Sequence, residues 1–524
     1  MKSSIYKKLM VWKIDRVIAK LRWISLIALC FLVWNFSLSA LAAPQEDSQS
    51  IEPYLNRVKE QITEFTLDNG LKFIVLENHD SPTVSFVTYA NVGGVDEPDG
   101  QTGVAHFLEH LAFKGTREIG TTNYRAEVKV LDKLDRLFTE LKQAQASGDE
   151  AKVAKLSDEF VAAQSAASKY VKQNEYGKIV DTAGGVGLNA ATSADYTSYF
   201  YSFPSNKLEL WMSLESERFL EPVFREFYKE KQVILEERRL RTDNSPIGKM
   251  IEAFLDTAFT THPYKRPVIG YQDDINNLTR ENVEDFFRTY YAPNNLTIAI
   301  AGDVDPQEVK SLAKIYFGRF ESQPQPASVD KPEPTQTETR EVTVEFPSQP
   351  WYLEGYHVPS LKHPDYFVYE VISELLSSGR TSRLYKSLVE EKQVALSAQG
   401  FSGFPGDKYP NLLLVYGLTA PGTSVEELAI AMRAEIERLK TEPVKPKELE
   451  QVKTQLKASL LRTLDSNMGM AEILAEYDAK TGDWRNIFND LTKLEAITPE
   501  DIQRVAKATF TEENRTIGRL LPAS

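Results

Sequence analysis

The chain has 524 residues, 42% of them hydrophobic, with 61 Lys/Arg against 75 Asp/Glu, a net charge of −14 and a single cysteine. That charge excludes a protein that grips nucleic acid or anionic membrane surfaces by bulk electrostatics, and one cysteine excludes a disulfide framework. A chain this long exceeds what one hydrophobic core usually holds, so at least two domains are expected.

The first 22 residues carry seven Lys/Arg and one Asp; an apolar run follows from Trp23 to Leu38, then Ala40-Leu41-Ala42. This layout predicts a signal peptide over 1–42. The run is shorter than the ~20 residues that span a bilayer, and an uncleaved membrane anchor is the alternative. Cys30 follows Leu29 rather than a small residue, which does not suit a lipoprotein signal. Cleavage after Ala42 leaves 54 Lys/Arg against 74 Asp/Glu and no cysteine. An exported or periplasmic enzyme with basic or unfolded polypeptide substrates, and no nucleic-acid partner, suits that balance. Residues 43–60 read as a mobile start of the mature chain.

The most informative motif is His106-Phe107-Leu108-Glu109-His110, an H-x-x-E-H sequence, the inverted form of the zinc-protease helix motif. Four residues apart on a helix, His106 and His110 face one way, so both imidazoles can reach one Zn²⁺. Glu109 lies on nearly the same face as His106, where it can serve as a base. The chemistry needs two neutral nitrogen ligands, an open metal position and that base.

Over 128–180, Leu131, Leu134, Phe138 and Leu141 keep a 3-4-3 spacing, as do Val153, Leu156, Phe160, Ala163, Ala167 and Tyr170. That is a seam between two packed helices, and Ala146-Ser147-Gly148-Asp149 marks the turn between them. The run from Phe227 to Arg238 then reads as a helix with an acidic stripe. Glu230 and Glu237 share a face, Glu226 lies one turn earlier, and Glu236 points about 100° away from Glu237. A catalytic zinc usually keeps three protein ligands, and this stripe is the best source of the third.

An internal repeat fixes the domain count. Leu278-Thr279-Arg280-Glu281-Asn282-Val283 recurs as Ile497-Thr498-Pro499-Glu500-Asp501-Ile502, and Tyr291, Asn295, Thr297 and Ile298 recur as Phe510, Asn514, Thr516 and Ile517, always offset by 219. In both copies a Thr N-cap, a helix and a β-branched strand are expected. Glu321 to Arg340, rich in Pro, Gln and Thr, reads as an extended linker. The second copy lacks the His-Glu-His motif.

These stretches resemble the pitrilysin/insulinase family of zinc metallopeptidases, most of all its two-domain branch containing mitochondrial processing peptidase. The likeness runs from Leu67-Asp68-Asn69-Gly70 through Gly93-Gly94-Val95-Asp96-Glu97-Pro98, the His-Glu-His helix, Leu188-Asn189-Ala190-Ala191-Thr192, Glu230 to Glu237 and His262-Pro263-Tyr264 to Ser378-Gly379-Arg380-Thr381. It implies an α+β fold of two tandem homologous α/β-sandwich domains, catalytic over 61–320 and non-catalytic over 341–524. It implies Glu237 as third zinc ligand, Glu230 as an acid supporting catalysis, and Asn189 and Ala190 on a strand beside substrate. Relatives place Glu237's counterpart closer to the second histidine than the 127 residues found here, so the helical hairpin is an insertion, either a stabilising decoration or a clamp for partner or substrate. Relatives also grip substrate with an Arg and a Tyr on the closing half. The nearest match is Lys408 and Tyr416, and Lys lacks the bidentate fork of Arg. A heterodimer with a related non-catalytic chain is therefore expected, with a homodimer as the competing arrangement. The competing function is a non-catalytic scaffold subunit.

Overall fold

The computed structural model describes residues 52–523; the expected signal segment lies outside the described residues. The stretch expected to be mobile, 43–60, ends in a helix over Glu52–Glu60. Among the described residues no helix is long and apolar enough to cross a membrane.

Six strands build the first sheet: β1 Ile62–Thr66, β2 Lys72–Glu77, β3 Thr83–Ala90, β4 Val186–Thr192, β5 Thr197–Pro204 and β6 Leu296–Gly302, in the order β1-β2-β6-β3-β5-β4. Five build the second: β7 Arg340–Glu345, β8 Trp351–Val358, β9 Ala395–Phe404, β10 Asn411–Thr419 and β11 Arg515–Leu521, in the order β7-β11-β8-β10-β9. The wiring is the same in both. One parallel pair (β2 with β6, β7 with β11) is followed by antiparallel neighbours out to an edge strand, β4 or β9. The fold is thus mixed helix and sheet in two α/β domains, as the resemblance implied. β6 reads Leu-Thr-Ile-Ala-Ile-Ala-Gly and is buried throughout, as a strand covered on both faces must be.

The 219-residue offset is carried into structure element by element. The helices Arg280–Tyr290 and Pro499–Thr509, and the strands β6 and β11, occupy the same offset positions. Thr279 and Thr498 each cap their helix in a reciprocal capping box, with Asn282 and Asp501 as the returning side chains. Asn295 donates to the Tyr290 carbonyl at 2.8 Å, and Asn514 to the Thr509 carbonyl at 3.0 Å.

The two domains exchange helices. Pro246–Ala258, from the first half of the chain, packs Met250, Phe254 and Leu255 against Leu353, Leu412 and Leu520 of the second sheet. Gly518 makes room for it, since a Cβ there would lie 2.6 Å from Met250 Cε. Asn467–Thr481, from the second half, lies across β3 and β6. Its Asp478 accepts from Lys72 Nζ at 2.6 Å and from the buried Thr297 hydroxyl at 3.2 Å.

The hairpin forms from the helices Tyr124–Ser147 and Glu150–Ser168, with Gly148 turning the chain at φ 71°. Leu131, Leu134, Leu156, Ala163 and Ala167 are buried along the seam. A third, short helix, Glu175–Thr182, takes up the remainder of the expected 128–180 insertion. The linker is extended, but it is also anchored. Glu333 accepts from the backbone N–H groups of Thr260, Thr261 and His262 at 2.8–3.0 Å, and the buried Gln336 donates to the carbonyls of Glu338 and Arg515.

Candidate metal centre

The helix Val104–Leu111 carries the His-Glu-His motif. Its apolar residues Val104, Ala105, Phe107, Leu108 and Leu111 are buried, so the polar three are left on the other face. Glu97 caps its start: the carboxylate accepts from Gly103 N at 2.9 Å and Ala105 N at 3.0 Å. Burial pushes Glu97 up to about 8, against the pull of those two donors. Gly103 enters the helix at φ 86°, and a Cβ there would lie 2.6 Å from the Ile269 carbonyl oxygen. Only glycine meets both conditions cheaply.

The helix Phe227–Arg238 packs against this one through stacked rings, Phe107 on Phe227 at 4.6 Å between centroids. That contact turns Glu230 and Glu237 toward the histidines. Glu237 Oε2 lies 3.8 Å from His106 Nε2 and 3.5 Å from His110 Nε2. One donor atom from each of the three residues falls within 4.8 Å of the others. A tetrahedral zinc with bonds of about 2.0–2.1 Å separates its donors by roughly 3.3 Å, so two nitrogens and a carboxylate oxygen at these spacings fit that ion after a small contraction. Glu236 points away, paired with Arg239 at 2.6 Å and half exposed.

The surrounding groups suit the same reading. His110 Nδ1 donates to Glu230 Oε1 at 3.0 Å, which leaves Nε2 toward Glu237. Such a carboxylate fixes the tautomer and orientation of a metal-binding histidine. Lys114 Nζ holds the other Glu230 oxygen at 2.6 Å. Burial works to raise Glu230, but hydrogen bonds from His110 and Lys114 outweigh it and hold the carboxyl below its usual range. Burial, with His110 and Arg241 nearby, drives His106 down to about 3 and keeps it neutral, as a ligand nitrogen must be. Arg241 forms an ion pair with Glu237 Oε1 at 2.9 Å from one turn on. Glu109 is raised by burial, partly offset by the Thr192 hydroxyl, which donates to its Oε2 at 2.6 Å.

Asn189 and Ala190 lie on β4, the last strand of its sheet, paired on one side only, with Phe200 and Tyr199 of β5. Asn189 is exposed and Ala190 buried, and the strand runs beside the His-Glu-His helix. Lys408 and Tyr416 make their contacts elsewhere. Lys408 Nζ donates to Asn91 Oδ1 at 2.8 Å, and the Tyr416 hydroxyl donates to Gln399 at 2.7 Å beside Trp351 and Phe401. Among the described residues neither forms a hydrogen bond or ion pair with His106, Glu109, His110, Glu230 or Glu237. Thr192, Lys114 and Arg241 were not singled out from sequence. Arg241, four residues after Glu237, was the one with a local spacing signal.

A buried histidine and a partly exposed one face a carboxylate, with a second carboxylate alongside and an open strand edge nearby, an arrangement that could hold a metal ion. Two family models match the chain: Insulinase (Peptidase family M16) over residues 72–135 and 161–272, and Peptidase M16 inactive domain over residues 277–456. The unmatched gap, 136–160, falls inside the helical hairpin. Zinc protease PqqE of Helicobacter pylori is 31% identical over 471 residues, covering 87% of this chain and 92% of that protein. The probable mitochondrial-processing peptidase subunit beta of Schizosaccharomyces pombe is 26% identical, covering 86% and 89%. The crystal structure of a protease from Helicobacter pylori superposes with a TM-score of 0.74 at 28% identity, over 88% of this chain and 99% of that one. The chain belongs to the M16, or pitrilysin/insulinase, family of zinc peptidases.

Proposed function

We propose that the chain is an exported zinc endopeptidase that cuts peptides or unfolded polypeptides. The observation that carries this reading is the convergence of His106, His110 and Glu237 on one point, with Glu109 beside them. A zinc ion held by those three would polarise the scissile carbonyl and make water a nucleophile at neutral pH. Glu109 takes the proton of the attacking water and delivers it to the leaving amine. Its raised proton affinity suits both halves of that exchange. Glu230, steadied by Lys114, orients His110.

The peptide binds as an added strand along the outer edge of β4, through the backbone of Asn189 and Ala190. This mode reads main chain more than side chains, so sequence preference is broad. Export rests on the N-terminal layout of 1–42. One catalytic and one metal-free domain amount to half of a closed chamber, so we further propose that the active form is paired, with a related metal-free chain or with a second copy. The relative named as a subunit of mitochondrial-processing peptidase supports pairing.

The test is peptide cleavage by the purified chain and by Glu109→Gln, with size measured beside activity. Glu109→Gln should keep its metal and lose about 10²–10⁴-fold in turnover. Cleavage at the normal rate by this variant removes Glu109 as the base. A chain without peptidase activity in any assembly would be the scaffold subunit instead.

A further inference from the structure

We propose that Thr192 is a positioning residue for Glu109 that ties the orientation of the base to the strand on which the peptide docks; this rests on the peptidase reading above. Thr192 is the last residue of β4, and its hydroxyl donates to Glu109 Oε2 at 2.6 Å. That bond occupies one carboxylate oxygen and leaves the other for proton transfer. The strand on its N-terminal side is exposed at Val186 and Asn189, where a peptide would add.

The turn on its C-terminal side is locked. Ser193 N donates to the Tyr196 carbonyl at 2.8 Å, and Gly94 N and Val95 N donate to the carbonyls of Ser193 and Ala194 at 3.1 and 2.8 Å. The second domain holds the same turn. Buried Asp195 accepts from Asp407 N at 2.8 Å and Lys408 N at 3.1 Å, and from the Tyr264 hydroxyl at 2.6 Å. Thr192 therefore sits between a docking edge and a fixed anchor. Backbone bonds from a peptide to Asn189 and Ala190 would stiffen the remaining free part of β4 and with it the grip on Glu109.

The metal-free domain sets the competing explanation. There Glu370 of the helix Tyr366–Ser377 bonds to the Ser402 hydroxyl of edge strand β9. That contact joins a helix to a sheet edge where no His-Glu-His motif exists, so a purely structural role for Thr192 has to be separated from a positioning one.

The experiment compares wild type, Thr192→Val, Thr192→Ser and Glu109→Gln as full chains, reading zinc content, thermal midpoint, and kcat and KM on a quenched fluorogenic peptide. Thr192→Val should lose about 10- to 100-fold in kcat, the scale of a misplaced catalytic group, with KM and zinc content little changed. Thr192→Ser, which restores the donor, should recover most of that loss. Should Thr192→Val not fold, Thr192→Ala carries the same comparison. Wild-type kcat without the hydroxyl, a Ser variant as impaired as the Val variant, or a loss confined to KM each overturns the proposal. Inactive Glu109→Gln beside fully active Thr192→Val overturns this inference alone; fully active Glu109→Gln removes Glu109 as the base and this inference with it, and a wild type that cuts no peptide in any assembly overturns the peptidase reading.

Discussion

The two domains share a five-strand wiring, yet only the first carries the His-Glu-His motif. In the first, the helix between β3 and the edge strand presents His106, Glu109 and His110 on its polar face. In the second, the helix in the corresponding place, Tyr366–Ser377, buries Val368, Tyr369, Val371, Ile372, Leu375 and Leu376, with no histidine among its residues. The second domain contributes hold instead. It supplies the helix Asn467–Thr481 to the first sheet and backbone donors to Asp195 in the turn between β4 and β5. On the function proposed above, duplication of the fold separates two tasks that one domain would have to combine: placing the metal ligands and bracing the strand on which the peptide is proposed to dock.

That division can be broken by substitution. The largest expected effect is on Glu237. Glu237→Gln should weaken zinc binding by more than the ~10–100-fold typical of groups that merely orient ligands, whereas Glu236→Gln should leave it unchanged, since Glu236 faces Arg239. Zinc titration of the pair decides, and the reverse order would put the helix one residue out of register. Next is Phe254→Ala, which removes a fully buried ring of the exchanged helix from the second sheet. It should cost about 3–5 kcal/mol. If the exchange couples the domains, calorimetry should show one lowered transition; two transitions, with only one shifted, would make them independent. The smallest is Glu230→Gln, which should lower turnover or metal affinity about 10–100-fold with zinc still bound under saturating metal. An unaffected variant would mean that the bond to His110 does not orient it.

Local signals made much of this legible in sequence. The capping threonines Thr279 and Thr498 announced two copies of one helix-strand unit because a cap is a property of four adjacent residues. The 3-4-3 seam gave the hairpin, and helical angle set Glu236 about 100° away from Glu237, while the family resemblance marked Glu237 as the ligand. What was hidden depends on contacts between distant residues. Thr192 meets Glu109 across 83 residues and Lys408 meets Asn91 across 317. Nothing in the short-range pattern of Pro246–Ala258 says which sheet its apolar face will cover. The linker's composition conveyed extension but not anchoring, because Glu333 and Gln336 read as ordinary polar residues until their backbone partners arrive from 260–262 and 515.

The central claim is that three side chains converge on one zinc ion in the first domain. Metal analysis of the purified chain beside His106→Ala and His110→Ala, with peptide turnover read on the same samples, tests it most directly. One zinc per chain in the wild type, with metal and activity lost together in both variants, is the expected result. Full zinc occupancy in both variants would contradict it.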